Sequence, residues 1–366
     1  MGFDSIRFAG YRNLENGEVD LASDRIFLIG ENGQGKSNFL EALYLVCTGA
    51  SFRTRVDRHL IRHGESRAVV EAGSRSGGVS RSVTVRLSAA GKREIREDGS
   101  PVRDRKRLIE SNPCILFAHG DMQYVDGPPD RRRWFFNQTL SLFDPDYIDL
   151  LRQYRRVLAG RNASLKDRRY ELLDTYDSHL ASLGVRIQRR RMGEIERFSG
   201  VLALLFRTIA GVDGDLRARC RPSWGELEHP EEVRKLLLER RERDKMRETT
   251  TSGPHRDRIL FLLEGRDFSH YASTGQVRLT SLILKVAQAR SFYERTGRRP
   301  ILLLDDVLLE LDAARREAFL SSLPKYDQAF FTFLPNEAFT RYADSETLIY
   351  VVEGGALSGW KEQEIY

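Results

Sequence analysis

The stretch DRIFLIGENGQGKSNFLEALYLVCTG, residues 24–49, can be read as three consecutive elements. Ile26 to Ile29 form a short apolar run, the length of a buried strand, which passes directly into glycine. Gly30, Gly35, Lys36 and Ser37 then fit G-x-x-x-x-G-K-[ST], with Asn32, Gly33 and Asn38 in the same cradle. Glycines let backbone N–H groups turn inward around a β-phosphate, Lys36 reaches the β/γ oxygens, and the Ser37 hydroxyl suits Mg²⁺ at a helix N-terminus that already favours anions. The following segment places Phe39, Leu43, Val46 and Cys47 on one helical face and stops at Gly49. Strand, loop and helix in that order predict binding of a nucleotide such as ATP.

A second stretch, RRPILLLDDVLLELD at 298–312, is an apolar strand ending in paired aspartates. Two adjacent carboxylates at the end of a buried strand call for a cation or a solvent opening. Asp305 is expected to hold the Mg²⁺ water shell, and Asp306 to orient or deprotonate an attacking water. Between loop and aspartates lies YASTGQVRLT, residues 271–280. Alone, its Ser-x-Gly-Gln is an ordinary helix start. Ordered with the other two motifs, it reads as the signature of an ATP-binding-cassette ATPase. In that architecture Ser273, Gly275 and Gln276 contact the γ-phosphate held by a second protomer, so the motif implies an ATP-dependent homodimer.

The remaining chain is read more coarsely. RSVTVRLS, residues 81–88, alternates Val83, Val85 and Leu87 with polar partners and predicts an antiparallel meander from about 66 to 100. Arg81 and Arg86 then belong to its wet face or touch DNA. CILF reads as a strand, and residues 118–136 as a loop. Long helical segments follow at 145–162, about 176–209 and 229–246. They predict a compact lobe and no long coiled coil, because GPP, AGRN, GVDG and CRPSWG interrupt any sustained heptad. The expected boundaries are 1–130 and 251–366 for the ATPase domain and 131–250 for the inserted lobe.

Charge and composition narrow the function further. The chain has 366 residues and is 40% hydrophobic, enough for a buried core, with no run that suggests a membrane span or a signal peptide. A cytoplasmic protein is expected. Three separated cysteines, Cys47, Cys114 and Cys220, support neither a disulfide framework nor a metal site. Lys and Arg number 59 against 53 acids, a net charge of +6, and arginines concentrate at 131–133, 188–192 and 236–247. Such runs are solvated faces or a phosphate-backbone footprint. Arg132, Arg133, Arg189 and Arg190 are the candidate DNA contacts, with bracing through carboxylates the alternative for Arg132 and Arg133.

The blocks GYRNL, GENGQGKSNFLEALY, GPPDRRRWF, RQYRRVLAGRN, SGPHRD, STGQ and LLLDDVLLELD (with Glu310-Leu311-Asp312) follow one another in order. In that order the sequence resembles the RecF family, relatives of SMC and Rad50 heads without their long coils. The resemblance implies an α/β P-loop domain with an antiparallel β subdomain and an inserted helical lobe. It also implies a weak DNA-dependent ATPase that uses ATP and Mg²⁺. Such a protein acts at gaps or junctions of single-stranded and duplex DNA, with RecO and RecR mediators and the RecA recombinase. A transporter ATPase subunit or an SMC-like scaffold is the alternative. The chain departs from the family pattern at Ala118–Asp121, Asn137 and Arg258. Thr332 occupies the position of a γ-phosphate-sensing switch residue or is simply a buried strand Thr. His255 and Arg256 face the nucleotide or lock the lobes.

Overall fold

The computed structural model describes residues 2–76, 79–309 and 311–360. Its first half contains β1 (Ser5–Ala9), β2 (Gly17–Asp20), β3 (Arg25–Ile29), α1 (Lys36–Thr48), β4 (Arg67–Ser76), β5 (Val79–Ser88), β6 (Arg93–Glu97), β7 (Ser100–Pro101), α2 (Lys106–Ser111) and β8 (Cys114–Phe117). Then come α3 (Pro129–Phe143), α4 (Pro145–Lys166), α5 (Leu173–Ala210), β9 (Leu216–Arg221), α6 (Pro230–Glu239), α7 (Arg241–Arg247), β10 (Arg258–Leu263), β11 (Arg266–Asp267) and α8 (Thr274–Thr296). The chain closes with β12 (Ile301–Leu304), α9 (Ala313–Ser322), β13 (Gln328–Phe333), β14 (Leu348–Glu353) and β15 (Ala356–Gly359). Contacts divide it into Met1–His119 with Thr296–Tyr366, and Gly120–Arg295.

In the first unit, runs that are apolar at every position become interior strands. β12 and β13 are buried along their whole length, as strands covered on both faces must be. They lie in a sheet of order β15-β14-β3-β13-β12-β8, parallel from β14 to β8. In the second sheet, β2-β1-β4-β5-β6-β7, strands β4 to β7 form the antiparallel meander expected from period-two alternation, and β1 and β2 extend it. Val83, Val85 and Leu87 point inward, and the exposed Arg86 and Arg96 share Glu94. One core joins both sheets through α1, whose residues Phe39 to Cys47 are all buried. A helix covered on two sides has no polar face, which the one-sided stripe read from sequence understates.

The second unit carries most of the helical segments, including the 38-residue α5 that Gly211 ends in the left-handed conformation. Two expectations are corrected here, and two features were not anticipated. The segment read as a loop to 136 becomes helical at Pro129, because proline fits the first helical turn. The helix expected over 229–246 is broken at Arg240. The lobe also contains β9, paired with β10 and β11 in a three-stranded sheet. By its contacts α8, with the signature residues, belongs with this second unit, whereas the sequence boundaries put it in the ATPase domain. Among the described residues no helix is long and apolar enough to cross a membrane.

Candidate functional site

The phosphate loop leaves the carboxyl end of β3, where open α/β sheets bind ligands. Gly30 must be glycine because an added Cβ would stand 2.3 Å from the Val352 carbonyl oxygen. Gly33 and Gly35 adopt φ of 82° and 125°, so the loop backbone turns without side-chain cost. Gly35 caps α1 with no side-chain acceptor, and the first turn holds no acidic residue. The helix N-terminus therefore keeps its anion-favouring N–H groups. Lys36 is buried, its Nζ donating to the carbonyls of Gly30 at 2.6 Å and Glu31 at 3.2 Å. Asn32 is exposed at the loop's tip.

β12 delivers the aspartates to the same edge of the sheet, with β13 between it and β3. Ser37 Oγ donates to Asp305 Oδ1 at 2.8 Å, so residues far apart in the chain form one oxygen pair. Burial, and then the Asp306 charge, push the Asp305 carboxyl up to about 6 against the opposing Ser37 hydrogen bond and the Arg53 and Lys36 charges. Hard oxygen donors in a site that penalises an uncompensated carboxylate suit a small divalent cation. Asp306 has φ 52°, a left-handed conformation an L-residue holds only under constraint. Thr332 on β13 supplies the constraint: its Oγ1 accepts from the Asp306 N–H at 2.7 Å and lies 2.8 Å from Asp306 Oδ1. In this structure Thr332 is thus a buried strand residue that positions Asp306.

Sequence reading missed two residues beside the loop. Asn13 Nδ2 donates to the Gln34 carbonyl, Asn38 donates to Asn13 Oδ1 at 2.7 Å, and Arg53 donates to Asn38 Oδ1 at 2.6 Å. This chain braces the loop and brings a guanidinium to the Asp305 side. Arg53 carries no signal of its own, and only the fold brings it there.

In the second unit, Ser273 and Gln276 form a reciprocal cap at the start of α8: Ser273 N–H donates to Gln276 Oε1 at 2.8 Å, and Gln276 N–H to Ser273 Oγ at 3.3 Å. Ser273, Gly275 and Gln276 are all exposed, and Gly275 has open space around it. His255 is half-buried and neutral. Burial lowers its pKa to about 4, Nε2 donates to the Thr250 carbonyl, and Nδ1 accepts from Tyr154 Oη at 2.8 Å. It is thereby a structural group of the second unit, whereas Arg256 is exposed. Glu310 lies outside the described residues.

The arginine run is only partly a surface. Arg132 is corrected as a DNA contact: it is buried and donates to the Val125 and Ile259 carbonyls at 2.7 and 3.0 Å. It braces through backbone oxygens, not through the carboxylate pairs expected as the alternative. Arg133 is half-buried and donates to the Asp257 carbonyl at 2.8 Å. Arg189 is exposed, and Arg190 pairs with Asp144 at 3.0 Å.

A parallel sheet with a phosphate loop on β3 and an aspartate pair on β12, in a chain that also carries a Ser-x-Gly-Gln helix start, defines the class: an ABC-type P-loop ATPase fold of the SMC-head kind. A family profile described as RecF/RecN/SMC N terminal domain matches residues 3–357. The chain is 40% identical over 347 residues to the DNA replication and repair protein RecF of Treponema pallidum, covering 94% of this chain and 98% of that one. It is 34% identical over 364 residues to RecF of an Anaeromyxobacter species, with 97% and 98% covered. A solved structure of the recombination mediator protein RecF with ATP superposes with TM-score 0.87 at 26% identity, covering 98% and 97%. The Smc head domain of Pyrococcus furiosus, at TM-score 0.54 and 17% identity, shares the fold. This chain belongs to the RecF family.

Proposed function

We propose that this chain is an ATP-dependent DNA-binding protein of recombinational repair and replication restart, with slow DNA-stimulated ATP hydrolysis. The observation that carries the reading is the Ser37–Asp305 oxygen pair beside Lys36, at a helix N-terminus free of acidic side chains. Its relatives' names, a DNA replication and repair protein and a mediator of the RecFOR pathway, supply DNA as the partner class and the RecO and RecR proteins as co-workers, and the family resemblance adds the RecA recombinase.

In this reading Gly33, Gly35, Ser37 and Asn38 receive the phosphates of ATP at the start of α1, and Lys36 exchanges its loop carbonyls for phosphate oxygens. Ser37 and Asp305 hold Mg²⁺, which supplies charge neutralisation at the phosphates. Asp306, aimed by Thr332, orients the attacking water and accepts its proton. Ser273, Gly275 and Gln276 complete the site of a second copy, so hydrolysis belongs to a homodimer.

The experiment measures ATP turnover without DNA and with single-stranded, duplex and gapped DNA. Lys36→Ala is expected to lose ATP binding, while Asp306→Asn keeps ATP and accumulates as a dimer by light scattering. Lys36→Met and Ser273→Arg, each inactive alone, are expected to regain activity when mixed, because one site of the mixed dimer is intact. Turnover independent of protein concentration, with no rescue at any ratio, would remove the shared site. Turnover and nucleotide-driven association that ignore DNA would favour the ATPase subunit of another complex.

A further inference from the structure

We propose that the exposed face of α3 is a foothold for an unpaired nucleotide: Trp134 stacks on the base, and Arg131, Arg133 and Arg256 take the phosphates. This rests on the DNA-binding reading above and adds to it the form of DNA this face recognises.

α3 buries Arg132, Phe135, Phe136, Thr139 and Leu140. Arg131 and Trp134, three residues apart and therefore neighbours on the helix surface, stay exposed. Trp134 is 44% exposed, unusual for the largest apolar side chain. It is not loose. Its ring stacks on Tyr124 with centroids 5.6 Å apart and planes at 21°, which fixes the indole orientation.

The neighbouring loop is braced as firmly. Ser223 Oγ accepts from Gly253 N–H at 2.6 Å and donates to the Gly253 carbonyl at 2.9 Å, while Asp257 accepts from Ser223 N–H and from Arg191. Asp257 is thereby buried and spent on Arg191. Arg133 is tied by one guanidinium N–H to the Asp257 carbonyl. Arg256 is exposed and, among the described residues, makes no side-chain hydrogen bond or ion pair. Burial, with the Arg191 charge behind it, holds the Arg133 pKa below its usual value. A group of like charges is relieved by an anion, and Asp130 is the acid in the first turn of this helix.

A fixed aromatic ring among guanidinium groups matches a single strand, whose bases offer free π-faces. A duplex hides those faces in its stack and presents phosphates. An exposed aromatic that instead seats a protein partner is the competing outcome.

The test uses the ATP-bound full chain, a short oligothymidylate and a blunt duplex of equal length, with binding read by anisotropy and tryptophan emission. Oligothymidylate is expected to quench emission, and Trp134→Phe to remove most of that quench while keeping the affinity. Trp134→Ala is expected to weaken single-strand binding roughly tenfold and duplex binding less than about twofold. Arg133→Gln with Arg256→Gln is expected to reduce the single-strand salt slope by about 0.7 for each phosphate left without its cation. ATP binding by every variant verifies folding. An unchanged single-strand affinity in Trp134→Ala, or an equal loss on duplex, overturns the foothold. So does emission that responds to the RecO or RecR mediators and not to oligothymidylate. If the unmutated protein binds neither DNA, the DNA-binding reading itself falls, and no variant is needed to see it.

Discussion

Two groups of charges in this molecule are built on opposite principles. At the sheet edge of the first unit, Lys36, Asp305 and Asp306 are held by few partners: two carbonyls, one serine hydroxyl, one threonine hydroxyl. In the second unit, Arg161 is fully buried and bonded to Asp177 at 2.6 Å, Asp244 at 2.8 Å and Thr250 at 2.9 Å. Arg241 adds a second bond to Asp177, and Asn162 accepts from Thr250. In the second network two carboxylates compensate the buried Arg161 charge, although its Nη2 finds no acceptor, and no carboxylate there is left without a cation. The first is open, and Asp305 shows the consequence in a carboxyl raised to about 6. Burial alone therefore does not mark a site. What distinguishes it is charge whose compensation is left incomplete by the protein.

The sharpest way to break this contrast is Arg161→Leu. It leaves buried Asp244 without a cation and Asp177 with Arg241 alone, and is expected to cost about 3–5 kcal/mol in chemical denaturation. A cost below about 1 kcal/mol, far under that range, would mean the network is solvated and the contrast misplaced.

Next in size is the pH dependence set by His255. Its pKa of about 4 lies below the unfolded value, so between about pH 6.5 and 4 the unfolded chain takes up a proton that the folded chain refuses. Stability is flat above that window and falls as pH drops through it, by at most about 3 kcal/mol. His255→Gln should flatten the curve there, measured as denaturation midpoints against pH.

Thr332→Val removes both hydrogen bonds to Asp306. Turnover should fall roughly tenfold with little change in KM for ATP, and Thr332→Ser should restore it. Equal activity in the valine variant would show that Asp306 is held without Thr332. The smallest effect on stability is expected for Ser273→Ala, about 1 kcal/mol or less from the missing cap of α8. If turnover falls far more than that stability change explains, the exposed serine acts on a partner's nucleotide as well as on its own helix.

Much of this was legible before any coordinates. The phosphate loop, the aspartate pair and the apolar strands are local: their chemistry is written within a few consecutive residues, and the antiparallel sheet followed from alternation, whereas the parallel pairing of the apolar strands was not read. The helices at 145–162 and 176–209 were legible too, because periodicity over many turns leaves little ambiguity. β9 was not. LRARCR is short and rich in charge, and it becomes a strand by pairing with β10, some 40 residues on.

Within the arginine run 131–133 the sequence determined three equal cations, and the tertiary structure made them unequal. Arg131 faces solvent, Arg133 leans on the Asp257 carbonyl, and Arg132 is interior because the Ile259 and Val125 carbonyls accept from it. The same division separates Thr332, whose role depends on Asp306 arriving at the end of the adjacent β12, from Ser37, whose role the loop motif already states. Local motifs specify which groups can do the chemistry. Burial and pairing depend on neighbours from a few to more than a hundred residues away, and only the packed chain decides which charges remain free to meet a ligand.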